Sequence, residues 1–281
     1  MRRFDRFISD LARAEVSDRA CNQYSSTSGD TRGNAIRRCN LRLYLEQLDA
    51  IGARIVMIGE APSYRGGRLT GIPFVSETVM LRGVETRSGN VLGESHGYCK
   101  ATASEKLSTE ASATMVWATI REIDPLPLLW NAFPFHPFDA GNPLTNRMPS
   151  AAELALGATF IARLVELFGF ERIVAVGNHA DASLTKLGIS HDKVRHPSMA
   201  GKPEFVAGMA RISAGMAHIS QSLNSMKKSQ IQEIKEGKAM QTKTYDGRLQ
   251  PVGPKSSLPT ENAVKLSTVP SSAKQKYNGG K

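Results

Sequence analysis

Residues 55–77 read IVMIGEAPSYRGGRLTGIPFVSE. Four apolar residues run into Gly59-Glu60-Ala61-Pro62, and a glycine-rich loop carrying Arg65 and Arg68 leads on to Pro73-Phe74. A short apolar run bounded by such turn signals reads as a buried strand. The carboxyl ends of strands are where α/β sheets hold ligands, so a carboxylate at this tip is the first candidate for chemistry.

Working outward, helical and strand patterns alternate. Upstream, residues 34–52 place Ile36, Leu41, Leu45 and Leu48 at helical spacing, with Asn34 as the expected cap and Gly52 as the stop. Downstream, residues 84–110 show no period and are rich in Ser, Thr and Gly, which predicts a long loop. A helix is expected over about 110–122, and LPLLWNAF reads as a second buried strand ending at Asn131. Residues 150–168 form an amphipathic helix opened by Pro149-Ser150, and ERIVAVG is a third strand with Gly177 at its tip. The short helix NHADASLTKLG, the fourth strand KVRHPS and the closing helix PEFVAGMARISAGMAHISQSL complete the pattern. Such alternation predicts an α/β fold on a mainly parallel sheet. Domain boundaries follow: an N-terminal helical extension over 1–33, the α/β domain over 34–221, and a basic, disordered tail over 222–281.

Composition narrows the partners. The 281 residues carry a formal charge of +10, but the tail holds 11 Lys/Arg against 4 Asp/Glu, leaving 25 against 22 in the rest. The tail reads as a solvated segment or as a non-specific aid to nucleic-acid binding. No run of about 18 apolar residues exists, so no membrane partner is expected and the protein reads as cytoplasmic. Cys21, Cys39 and Cys99 form no C-x-x-C pair, which predicts a reducing compartment, ordinary thiols and no metal site.

Three strand ends carry polar residues: Glu60 on the first, Asn131 on the second, and His196-Pro197-Ser198 on the fourth. In a parallel sheet such ends converge on one crevice, and Phe74 would supply an aromatic wall.

The ordered set IGEAPSYRGGRLTGIPF, WNAFPFHP and VRHPSMAG resembles the uracil-DNA glycosylase superfamily over residues 34 to about 215, nearest the thermostable bacterial branch whose first motif is GEAPG. The resemblance implies a three-layer α/β/α fold with a central, mainly parallel four-stranded sheet. It implies an N-glycosylase that flips uracil out of DNA and hydrolyses the glycosidic bond as a monofunctional enzyme, here expected to be a monomer. On that basis Gly59, Glu60, Ala61 and Pro62 would position the attacking water, Phe74 would stack on the base, Asn131 would read it, and His196 would stabilise the leaving base. Ser63 stands where the branch tunes access to the C5 edge of the base. Arg65, Arg68 and Ser198 would contact DNA, and Met199 or Ala200 falls where the superfamily inserts a wedge.

The chain also departs from the pattern. Ala61 replaces the aspartate that precedes the motif's proline in the best-known members, and Tyr64, Arg65, Gly66 and Gly67 replace an acidic pair. Glu60 is then the only carboxylate expected near the tip. The branch carries four cysteines for an iron–sulfur cluster, and three at these spacings predict no cofactor. Two other readings therefore stay open: excision of another deaminated base, hypoxanthine or xanthine, or a catalytically silent binder of DNA or nucleotides.

Overall fold

A computed structural model describes residues 2–198 and 200–216, together with Ser225 and Ser229. Compact packing divides the chain into Met1–Asn224 and Ser225–Lys281, and the architecture described is that of the first unit. The predicted tail lies outside the described residues, apart from Ser225 and Ser229.

The chain order is α1 (Asp5–Arg13), β1 (Ala20–Cys21), α2 (Thr31–Ile51), β2 (Ile55–Gly59), α3 (Gly67–Thr70), α4 (Glu77–Arg82), β3 (Val84–Thr86), β4 (Gly89–Val91), α5 (Ala111–Ile120), β5 (Leu128–Asn131), β6 (His136–Pro137), α6 (Ala151–Phe168), β7 (Arg172–Val176), α7 (Asn178–Lys186) and β8 (Asp192–Val194). A last helical run occupies residues 202–216. The central sheet has the order β5-β2-β7-β8 and is parallel throughout, flanked by helices. Every residue of β2 and β5 is buried, as expected of parallel strands covered on both faces. Gly59 pairs with Asn131, Ile58 with Ala175, and Val176 with Val194, so the four carboxyl ends lie along one edge.

Helix α6 forms where its sequence dictates: Ser150 and Glu153 make a reciprocal capping box and Gly169 closes the helix in the left-handed region. Helix α2 departs from expectation at its start. Asp30, not Asn34, is the cap, accepting the Gly33 N–H at 2.9 Å. Asn34 lies one turn in, where its amide donates to the carbonyls of Ser25 and Ser28. The core face is Leu41, Tyr44, Leu45 and Leu48, while Ile36 is only half-buried and gives way to Arg37, whose guanidinium bonds Leu69 O and Asn34 Oδ1.

The first 33 residues are sewn into the same body. Phe4, Phe7, Ile8 and Leu11 are core residues, Phe7 packs 5.6 Å from Trp130, and β1 pairs antiparallel with β6. The predicted loop over 84–110 also has structure. It holds the hairpin β3-β4 and a 3-10 turn at Glu94–His96. Long-range bonds fix it: Gln47 Oε1 accepts from Leu92 N and Tyr98 Oη, and Glu77 accepts from Ser108 N and Thr102 Oγ1. None of these partners is near in sequence, which is why periodicity misses them. No helix among the described residues is long and apolar enough to cross a membrane.

Candidate active site

A cavity of about 420 Å³ opens at the carboxyl edge of the sheet. It gathers Gly59, Glu60, Ala61, Pro62 and Ser63 from the end of β2, Phe74, Asn131 from the end of β5, and His196 and Ser198 beyond β8. Residues far apart in sequence therefore share one wall.

Gly59 lets two of them approach. A Cβ there would lie 2.3 Å from the Phe74 ring and 2.8 Å from Asn131 Oδ1, so any side chain would displace both groups. Phe74 has φ 56°, a left-handed conformation costing a non-glycine residue about 1–2 kcal/mol. Its carbonyl accepts the Trp117 Nε1–H at 3.0 Å, which helps hold the strained turn. Strain kept beside a cavity is a signature of a functional position.

The backbone after Asn131 is locked to the β2 tip: Gly59 O and Glu60 O accept the N–H groups of Ala132 and Phe133 at 2.7 and 3.0 Å. Buried His136 braces the same tip from below, with Nδ1 2.8 Å from Pro62 O and Nε2 3.2 Å from Pro143 O. Burial lowers its pKa, against the pull of the two carbonyls. The Asn131 side chain is different. It is 2% exposed, and its amide has no hydrogen-bond partner among the described residues.

His196 is oriented through one nitrogen. Nδ1 receives the Ser198 backbone N–H at 3.2 Å and lies 2.7 Å from Ser198 Oγ. An N–H donor at Nδ1 requires a lone pair there, which puts the proton of the neutral ring on Nε2. Burial lowers the pKa of this ring, and the neighbouring Arg195 and His179 lower it further. At neutral pH His196 is thus an uncharged Nε2–H donor. Gly177, at φ 88°, makes room for it, since a Cβ at 177 would lie 2.9 Å from the His196 Cβ.

Glu60 is half-buried and its carboxylate has no hydrogen-bond partner among the described residues. Burial raises its pKa above the ordinary carboxylate value, and His179 opposes the rise.

The structure corrects one expectation: Glu60 is not the only carboxylate at the site. Glu110 arrives from the far end of the 84–110 segment, lines the cavity and accepts a bond from Ser112 Oγ at 3.0 Å. Sequence reading also missed Asn178 and His179, although they directly follow the third strand tip, and Asn146 and Arg147. Arg147 is fully occupied: its guanidinium grips both oxygens of Glu153 at 2.6 and 2.8 Å. Burial would raise the Glu153 pKa, but bonds from Arg147, Ser150 N and Ser17 bring it down to about 2.

The expected DNA contacts separate. Ser198 is in the cavity. Arg65 is exposed, its guanidinium 5.3 Å over the Tyr64 ring. Arg68 faces a second cleft together with Arg37, Ser25 and Phe138. Met199 lies outside the described residues.

The three cysteines carry free thiols, Cys21 half-buried and Cys39 and Cys99 exposed. Among the described residues no three His, Cys, Asp or Glu side chains gather as a metal-holding group, so these cysteines do not fit an iron–sulfur cluster.

Residues 45–223 match the family model of the uracil DNA glycosylase superfamily, and the chain belongs to that superfamily. Among solved structures, wild-type SMUG2 from Pedobacter heparinus is similar, with a TM-score of 0.52 and 16% identity over 78% of this chain and 99% of that chain. At that identity the likeness speaks for the fold. No curated protein matches the chain.

Proposed function

We propose that the protein is a monofunctional DNA glycosylase that extrudes uracil from DNA and hydrolyses its N-glycosidic bond, leaving an abasic site. The observation that carries this reading is the cavity itself, where an aromatic ring, an unpartnered amide, an unpartnered carboxylate and a neutral N–H donor face one space large enough to admit an extruded nucleobase. Asn131 is buried, and Glu60 and His196 are half-buried and line the same cavity, so the three are available together to a ligand that enters it.

Each group has a task. Phe74 stacks on the extruded base, which offsets the few kcal/mol that unstacking costs. Asn131 accepts from N3–H and donates to O4 of uracil. As the glycosidic bond breaks, negative charge develops on the base, and the His196 Nε2–H meets it at O2. A preorganised donor of this kind is worth about 3–4 kcal/mol in a cavity that excludes water. Glu60, whose raised pKa makes it a better proton acceptor than an ordinary carboxylate, orients the attacking water with the backbone of residues 59–62.

A second reading has its own support. Hypoxanthine and xanthine present at N1–H and O6 the same donor and acceptor that uracil presents at N3–H and O4, so the Asn131 amide pairs with them in the same orientation, and a cavity of about 420 Å³ also has room for a purine.

The test is single-turnover excision from oligonucleotides, single- and double-stranded, each carrying one uracil, hypoxanthine or xanthine and read as abasic sites. Release of uracil supports the first reading. Release of the purines alone selects the second, and release of none leaves a silent binder of the same fold.

A further inference from the structure

His179 lines the cavity yet has no task in the chemistry assigned to Phe74, Asn131, His196 and Glu60. Its position follows from the sheet. In the order β5-β2-β7-β8, the end of β7 lies between the end of β2, which leads into Glu60, and the end of β8, beyond which His196 stands. Helix α7 begins directly after β7, and His179 is its second residue. His179 therefore stands between the carboxylate and the leaving-group donor, and all three line one cavity.

The first turn of α7 is fixed. Gly177 N–H donates to Val194 O at 2.8 Å, Asp181 N–H donates to Gly177 O at 3.1 Å, and Ser183 Oγ donates to His179 O at 2.8 Å. The ring itself is uncommitted: His179 is exposed, and its imidazole has no hydrogen-bond or ion-pair partner among the described residues. Asp181, the acid on the same helix, is taken by His191 Nε2 at 3.1 Å and Lys193 Nζ at 2.8 Å. Of the other charged groups on the cavity wall, Arg147 is clamped on Glu153, Arg195 lies 3.8 Å from Glu204, and Glu110 accepts from Ser112. Burial raises the Glu60 pKa and His179 opposes the rise, while at His196 burial and Arg195 lower the pKa and His179 adds to the effect. A cation at this place serves both neighbours. It favours the ionised carboxylate, and it disfavours an imidazolium at His196, which would lose the Nδ1 lone pair that receives the Ser198 N–H.

We propose that His179 is a positioning residue of the excision step: as an imidazolium standing between the two strand ends, it holds Glu60 ionised and His196 neutral. The inference rests on the base-excision reading of the cavity. In that step a proton of the attacking water passes to Glu60, the water oxygen bonds to C1′ of the sugar, and the electron pair of the broken glycosidic bond leaves with the base. A protonated Glu60 cannot take that proton. An ordinary imidazole is partly charged near neutral pH, and the negative potential of bound DNA favours the charged form. The effect of His179 is therefore greatest on the acid side of the pH profile, where the ring is charged and Glu60 is closest to protonation.

The experiment measures single-turnover excision from a uracil oligonucleotide, from about pH 5 to about pH 9, for wild type, His179→Gln and His179→Lys. A thermal melt and the DNA affinity are recorded at each pH. His179→Gln is expected to melt like wild type and to move the acid limb upward by about 0.5 to 1 pH unit. That is a loss of about 3- to 10-fold at about pH 5.5, shrinking as pH rises and the wild-type ring loses its charge. His179→Lys keeps a cation throughout and should leave the acid limb at or below its wild-type position. A loss by the same factor at every pH, a loss that tracks weaker DNA binding, or an acid limb unmoved in His179→Gln would overturn the proposal. If wild type releases no base, the functional reading fails by itself. The role of His179 is then decided by an NMR titration of the Glu60 side-chain carboxyl in the DNA-bound protein. A midpoint higher in His179→Gln than in wild type supports the proposal, and equal midpoints overturn it.

Discussion

Two groups of polar side chains, one lining the cavity and the other reaching it through Arg147, are treated in opposite ways. On the loop side, Arg147 and Glu153 satisfy each other through two short bonds, and Ser17 and the Ser150 backbone occupy what remains of the carboxylate. On the sheet side, Glu60, the Asn131 amide and the His196 Nε2 face the cavity with no partner among the described residues. Satisfied polar groups stabilise a fold, and unsatisfied ones cost stability. The first pair therefore builds the wall, and the second set is held ready for something that enters.

Substitutions on the two sides should accordingly fail in different assays. The largest effect is expected at Glu60. Glu60→Gln should slow single-turnover excision by about 100- to 10,000-fold, the range of a positioned general base, with DNA affinity unchanged. The same variant should be more stable than wild type at neutral pH. A carboxyl whose pKa is raised on folding loses stability as pH rises through its ordinary value toward its folded one, and the amide escapes that loss. A Glu60→Gln variant less stable than wild type at pH 7 would place Glu60 among the structural groups.

On the loop side the order reverses. Arg147→Ala should cost about 3 kcal/mol in unfolding free energy, as expected when one partner of a buried pair is removed, and should affect excision only in proportion to the folded fraction. It should also change the acid limb of stability. The depressed Glu153 pKa contributes stability that is present above pH 4.5 and is lost as pH falls toward about 2, and that loss should be smaller in the variant. Parallel acid limbs in wild type and variant would break the assignment.

The smallest effect is expected at Trp117, which acts on the site through Phe74. Trp117→Phe removes the donor to the Phe74 carbonyl and relaxes the left-handed turn, for a loss of less than about tenfold in excision and about 1 kcal/mol in stability. An effect confined to stability would mean that the ring does not need its strained seat.

The two sides also differ in how far sequence reveals them. The strand tips are legible because each is a short apolar run cut off by a polar residue or a glycine: IVMIG before Glu60, LLW before Asn131, IVAV before Gly177. The capping box at Ser150 is legible for the same local reason. Glu110, Arg147 and the start of α2 are not. Glu110 reaches the cavity through a segment ordered by Gln47 and Glu77, and α2 begins where Asp30 outcompetes Asn34, whose amide is taken by Ser25 and Ser28. Those choices depend on partners distant in sequence or on competition among neighbouring side chains, and periodicity carries neither. His179 is an intermediate case, since it follows the third strand tip and the rule that identifies Glu60 also points to it.

The claim that the sheet-side groups are kept for chemistry and not for the fold is tested most directly at His196. Single-turnover excision and unfolding free energy are measured in one buffer at pH 7 for wild type and His196→Ala. Loss of the Nε2–H donor predicts a rate about 100- to 1,000-fold lower with stability within about 1 kcal/mol of wild type. An unchanged rate in a folded variant, or a slower rate matched by an equal loss of stability, would contradict the account.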